Sequence, residues 1–319
     1  MEQMTGMIPQ LLIDGLTLGF VYAIVALGYT MVYGILEFIN FAHSEIFMVG
    51  AFAGTEVLLF MQSAGYLGSL PAPVALLIAI IIAMIFSGTV GVVVERVAYK
   101  PVRTAPKLVA FISAIGVSFF LQDAVRLVEG LWKNAFYLST PTLFTASIHI
   151  TGGLRIPVKV LYIMVIAIVI MFSLNLFINR HKLGKAMRAV AQDRNTASLM
   201  AIDVNAIISL TFLIGAALGG AAGTLFAVQY SLIHPYVGFI IGMKAFTAAV
   251  FGGIGSIPGA MLGGILLGLL EVFGAGFLGI LTNGVFGAEY KDVFAFAILI
   301  IILIFKPSGL LGKTVGEKV

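Results

Sequence analysis

Predominantly apolar runs of about 20 residues, the length that carries a helix across a hydrocarbon core, recur from one end of this 319-residue sequence to the other. They cover approximately residues 8–36, 39–61, 71–95, 107–130, 158–179, 206–232, 240–254, 258–281 and 291–305. In a bilayer every backbone amide must be satisfied internally, which leaves helices or closed barrels. A barrel would show segments of about ten residues alternating in hydrophobicity, and no long region alternates that way. The expected fold is therefore all-α, a polytopic transmembrane helical bundle with eight to ten crossings. The composition agrees: 61% of residues are hydrophobic and only 10% charged, against roughly half and a quarter in soluble domains.

The polar residues then set orientation. Positive charges gather at Arg96, Lys100, Arg103 and Lys107, again at Arg180, Lys182, Lys185, Arg188 and Arg194, and finally at Lys306, Lys313 and Lys318. By the positive-inside rule these three regions, and with them the C-terminus, are cytoplasmic. Residues 131–157 contain only Lys133 and Arg155 and read as a polar loop on the opposite face, with Trp132 and Tyr137 as interfacial anchors. The N-terminus falls outside if the first two runs each cross fully. The first ten residues carry no Lys or Arg, so a cleaved signal peptide is not expected. With basic residues confined to short loops, the net charge of +4 describes membrane orientation and not nucleic-acid binding. The absence of cysteine excludes disulfides and thiolate metal sites.

Two glycine-rich segments interrupt this pattern, one within residues 39–61 and the other AVFGGIGSIPGAMLGG at 249–264, where Pro258 removes a backbone donor. Both read as broken or re-entrant helices. Non-helical backbone at membrane depth survives only when buried in protein or lining a water-filled cavity, so they point to a pathway whose candidates are Asn40, Phe41, His43 and Glu45 together with Gly252, Gly253, Gly255 and Pro258. Each half of the chain has a small-residue-rich span followed by such a segment. That pattern fits an internal repeat and equally fits glycine simply permitting close packing.

Polar and ionisable residues within apolar runs face a bundle interior or each other. Asp14, Glu37, Asp123, Arg126, Gln229, Lys244 and Glu271 are in this position. Asp123 and Arg126, three apart, are expected to pair on one helix face, and Lys244 and Glu271 are suited to pairing across neighbouring helices. Glu95 and Arg96 mark the cytoplasmic end of a span. For His43 the alternatives are a place on a transport route and a capping or packing role.

The most polar long stretch is HKLGKAMRAVAQDRNTASLMAID, residues 181–203. Lys185, Arg188, Gln192 and Asn195 share one helical face, away from Leu183, Met187, Val190 and Ala197. A lipid-surface helix would place Trp, Phe and Leu on its buried side; this one is Ala-rich, which favours a protein partner.

The fragments GLTLGFVYAIVALGYTMVYGILEFINFAHSEIFMVGAF, VERVAYKPVR, RAVAQDRNTASLMAID and KAFTAAVFGGIGSIPGAMLGG, in this order across almost the whole chain, resemble the H-type permease subunit of branched-chain amino acid ABC importers. The resemblance implies one permease domain over 1–319 in a bacterial or archaeal cytoplasmic membrane, paired with a second homologous permease subunit. It implies two P-loop ATPase subunits below and an extracytoplasmic substrate-binding protein that docks on loops such as 131–157. It also implies that residues 181–203 couple the permease to its ATPases through Gly184, Arg188, Ala191, Gln192, Asp193 and Ala197, with Asp193 suited to capping a second short helix, and that INFAHSE borders the route. Branched-chain amino acids are the first expectation for cargo, with urea, short amides and other amino acids as alternatives.

No enzyme activity is expected of the chain itself. PSGLLGKT at 307–314 imitates a phosphate-binding loop, but Pro307 stands where that loop needs glycine. ATP would be bound by the partner subunits, and no cofactor or metal by this chain. The rival from another class is a self-contained secondary transporter or channel in which His43 and Glu45 relay protons or hold a cation; it leaves residues 181–203 without a task.

Overall fold

A computed structural model of the chain describes residues 2–36, 39–103, 105–150, 154–283 and 285–312; Glu37, Lys313 and Lys318 lie outside them. The fold is a polytopic helical bundle, and among the described residues seven helices are long and apolar enough to cross a membrane. The first half contains α1 (Glu2–Leu36), α2 (Ala42–Ser63), the single turn α3 (Tyr66–Ser69), α4 (Ala72–Val94) and α5 (Lys107–Lys133). After strands β1 (Leu138–Ser139), β2 (Ser147–Ile150) and β3 (Leu154–Pro157) come α6 (Val158–Arg180) and the short pair α7 (Lys182–Gln192) and α8 (Arg194–Leu199). The second half is α9 (Val204–Tyr230), β4 (Leu232–Ile233), α10 (Val237–Gly252), α11 (Ile257–Leu281) and α12 (Lys291–Phe305).

Side-chain contacts fix which ends lie together. Arg194 of α8 donates to the Ile35 carbonyl at the end of α1, and Arg103, after α4, reaches Asn205 at the start of α9 at 2.7 Å. The basic residues 96–107 and the α7–α8 pair therefore share one end of the bundle. At the other end β1 pairs with β4, Leu138 opposite Ile233, Thr55 meets Thr140 at 3.1 Å, and β2 and β3 form a hairpin. Residues 131–157 thus lie opposite the basic end.

Because α1 finishes and α9 starts at the α7–α8 end, these two central helices are antiparallel. The packing is reciprocal: α1 lies mainly on α11 and α9 on α4, helices from the opposite halves. This is the arrangement of an inverted repeat whose halves have exchanged helices. Close approach of backbones makes it feasible, since van der Waals contact between small residues is what holds helices together in lipid. A Cβ on Gly268 of α11 would overlap the Gly19 backbone of α1, and one on Gly50 of α2 would overlap Gly220 of α9.

Charge also crosses the bundle. Lys244 of α10 lies 2.8 Å from Glu271 of α11 and 2.8 Å from Asp292 of α12, Lys291 lies 3.2 Å from Glu271, and the Tyr22 hydroxyl of α1 donates to Glu271 at 2.7 Å. Two cations and two carboxylates cancel, the buried Lys244 and Glu271 being flanked by the half-exposed Lys291 and Asp292. Asp123 and Arg126 are 3.9 Å apart on the outer face of α5.

Two outcomes follow. Gly268→Ala should destabilise the detergent-solubilised protein by about 1–3 kcal/mol, the penalty of overpacking, while Gly34→Ala, with open space around it, should not; thermal unfolding followed by size-exclusion chromatography compares them. Lys244→Met should lose up to about 3–5 kcal/mol, because the buried Glu271 and the half-buried Asp292 are then left with Lys291 as their one cation, and Lys244→Met with Asp292→Asn, which restores the charge balance, should recover part of it in the same assay.

Candidate functional site

The unusual feature of the bundle is where α2 and α10 begin. A Cβ on Gly219 would stand 3.5 Å from the His43 ring; Gly219 is about 15 residues along α9, and Gly28, which the ring also meets, is seven residues before Ile35 at α8, so at about 1.5 Å per residue His43 sits about 10–22 Å above the α7–α8 end. The first turn of α2 is therefore deep in the bundle. Gly238, in the first turn of α10, lies against Ser44 and Glu45. From that level α2 runs to the end that carries β1 and β4, and α10 runs down to the α7–α8 end. Two helix N-termini thus meet at mid-depth, and each carries roughly half a positive charge.

Glu45 stands at this meeting point, in the first turn of α2 and 1% exposed. Its Oε1 accepts from the Ser118 hydroxyl of α5 at 3.3 Å, and its Oε2 makes no hydrogen bond. A Cβ on Gly238 would lie 2.6 Å from Oε2, so only glycine lets α10 cover the carboxylate so closely. Beside it opens a groove of about 380 Å³, lined by Phe41 and Glu45 of α2, by Ile115, Ser118, Phe119 and Gln122 of α5, and by Tyr236, Phe239 and Ile240. The α5 residues recur at spacings of three and four and so share one face. Phe119, Phe239 and Ile240 are each more than half exposed, so the groove opens sideways, out of the bundle.

The other pathway candidates lie elsewhere. His43 is buried with its ring against Gly28 and edge-on to Tyr29, centroids 4.7 Å apart; it packs where α1, α2 and α9 meet and does not line the groove. Asn40 accepts from the Tyr99 hydroxyl at 2.5 Å, tying the entry of α2 to the end of α4. Gly252, Gly253, Gly255 and Pro258 form the turn between α10 and α11 at the α7–α8 end, and not a break at mid-depth. Pro258 occupies the first turn of α11, where the lost N–H is harmless, and Ser256 caps that helix by accepting from the Gly259 amide. Gly253 adopts φ +106°, and the C-terminal segment closes over this turn through Leu310 N–H to Phe251 O at 2.8 Å and Leu311 N–H to Gly252 O at 2.9 Å. Gly255 and Ile257 share a cavity of about 70 Å³ with Met187, Arg188 and Ala191 of α7.

At that end α7 and α8 lie across the bundle. Met187, Val190 and Ala197 are buried; Arg188, Ala191, Gln192 and Asp193 are exposed. Gly184 is buried because α7 crosses so close to the end of α6 that a Cβ would overlap Phe177 and Ile178 backbone atoms. Arg188 donates to Asn179 of α6 at 2.9 Å. Asp193 caps α8, accepting from the Asn195 amide at 2.8 Å and the Thr196 hydroxyl at 2.6 Å. Residues 190–195 form one wall of a cleft of about 580 Å³ whose other wall includes Leu36, Tyr99, Arg103 and Lys107.

Several residues here escape a reading of the sequence. Leu199 and Met200 are 85% and 74% exposed at the end of α8, and their signal was two adjacent apolar residues in an otherwise polar stretch. Ser118 and Gln122 are a polar pair one helical turn apart within an apolar run. Tyr236 carries no local signal.

The family profile described as "Branched-chain amino acid transport system / permease component" matches residues 11–303. The high-affinity branched-chain amino acid transport system permease protein BraD of Pseudomonas aeruginosa is 46% identical over 310 residues, 97% of both chains. The corresponding permease protein LivH of Escherichia coli K12 is 42% identical over 319 residues, again 97% of both, and a probable LivH of Methanocaldococcus jannaschii is 25% identical over 91% of this chain and 88% of its own. No solved structure matches. A multi-pass helical bundle matched from end to end by such permeases belongs to the family of branched-chain amino acid transport system permease components.

Proposed function

We propose that this chain is one of two homologous membrane subunits of an ATP-driven importer of branched-chain amino acids. The observation that carries this reading is the 42–46% identity to high-affinity branched-chain amino acid permease proteins over 97% of the chain. The sideways opening of the Glu45 groove supports a second permease standing against α5 and α10, so that each chain supplies half of the passage. Two P-loop ATPase subunits dock under α7 and α8 and hold the ATP, and a binding protein delivers cargo at the end that carries 131–157. The membrane is the cytoplasmic membrane of a bacterium or archaeon, with the C-terminus inside and the outer helices against lipid.

The geometry gives coupling a short route. A push on α7 meets the Gly252–Ser256 turn directly through the cavity that Gly255 shares with Arg188 and Ala191, and α10 carries that displacement to the level of Glu45. The contact itself is assigned to the exposed face: Ala191, Gln192, Leu199 and Met200. Arg188, Asp193, Gly184 and Ala197 hold the two helices in place.

The test is affinity purification of the tagged chain in mild detergent from its native membranes, with mass spectrometry of the chains recovered. The wild type should bring down a second permease and P-loop ATPases. Leu199→Asp should recover the second permease and lose most of the ATPase, with thermal stability unchanged, whereas Asp193→Ala should also destabilise the chain by about 1 kcal/mol through the lost cap. Purification of the wild type as a lone chain that moves solute without ATP would overturn the reading.

A further inference from the structure

Buried carboxylates need a counter-charge, because transfer of an unpaired anion out of water is strongly unfavourable. This chain provides one for the two carboxylates buried to the same degree: Glu95 is paired with Arg103 and Glu271 with Lys244 and Lys291, while the somewhat more open Glu129 lies one helical turn from Lys133 at the end of α5. Glu45 is as buried as the first two, yet none of the ion pairs among the described residues includes it. One oxygen receives the Ser118 hydroxyl, and the other makes no well-formed hydrogen bond, with only the Ser44 hydroxyl near the carboxylate. The converging N-termini of α2 and α10 favour the ionised form without filling the position a cation would take. That position adjoins a groove whose remaining walls are Phe, Ile and Tyr with Ser118 and Gln122.

We infer that Glu45 is the acceptor for the cargo's α-ammonium group, with the cargo's apolar side chain lying on Phe119 and Phe239. This deepens the importer reading and rests on it. The ligand class is a primary ammonium ion bearing an aliphatic chain, which selects amino acids over urea and neutral amides at the permease itself, independently of the binding protein. Gly238 gates the site: the carboxylate is covered while the first turn of α10 rests on it and is freed when α7 displaces α10.

The chain has no cysteine, so a single reporter can be read on its own gel band. In the complete importer in proteoliposomes, Gln122→Cys is labelled with a cationic and an anionic methanethiosulfonate of similar size. With every rate normalised to that of the same reagent on free cysteine, whose thiolate already favours a cation, the cationic reagent should react about tenfold faster, a modest attraction for a charge a few ångströms away. Leucine at about four times its apparent Kd should slow labelling about fivefold by mass action. Isoamylamine, which keeps the ammonium and the chain, should protect likewise, and 4-methylpentanoate should not. With Glu45→Gln added, the charge preference and the protection should both disappear. Equal rates for the two reagents, protection by 4-methylpentanoate, protection by sodium or potassium ions equal to that by isoamylamine, or leucine protection that survives Glu45→Gln would each overturn the assignment. The measurements with Glu45 intact decide it even if the Gln variant fails to assemble. An importer that carries no leucine at all would instead overturn the functional reading.

Discussion

Contact between bare helix backbones is the constraint on which this structure depends. Lipid offers no hydrophobic reward for bringing two apolar helices together, so attraction between them comes from close approach. Gly268 against Gly19 and Gly50 against Gly220 bring α11 onto α1 and α2 onto α9. These contacts draw α1, α2 and α9 into the most buried positions of the bundle and leave α5, α6 and α11 with broad apolar faces toward lipid or a partner.

That tight centre permits an otherwise expensive feature. With α1 and α9 packed on each other, α2 and α10 can start at mid-depth, their first amides bonded to the preceding turn, as His43 N–H is to Asn40 O and Val237 N–H to His234 O, and sheltered by protein instead of exposed to hydrocarbon. His43 fills the space left by Gly28 and Gly219, which accounts for the burial of its imidazole. Glu45 occupies the one place where a negative charge is welcomed by two helix ends. The charge-balanced set around Glu271 then ties α10, α11, α12 and α1 together, so that movement of α10 is transmitted to the bundle.

Much of this was legible beforehand. The helical class, the basic end, the place of 131–157 at the opposite end, the buried face of α7 with Met187 and Val190, the Asp193 cap and the Lys244–Glu271 pair all follow from periodicity, charge or spacing, which are local or nearly so. The meeting of two half-helices was not legible, because glycines in 39–61 and 249–264 look alike in sequence. In the first segment the chain starts a helix inside the bundle, whereas in the second it makes a capped turn at the end, and tertiary packing alone separates them. The α10 start lies at Val237, in a stretch with no glycine cluster before it. Ser118 and Gln122 belong to the groove only because α5 crosses α2 there.

The account stands most directly on energy coupling. Uptake of radiolabelled leucine into proteoliposomes containing the complete assembly, with binding protein on the outside and ATP trapped inside, should require both and should not occur with this chain alone. Leucine accumulation driven by a proton or sodium gradient in vesicles containing only this chain, with no ATP present, would contradict it.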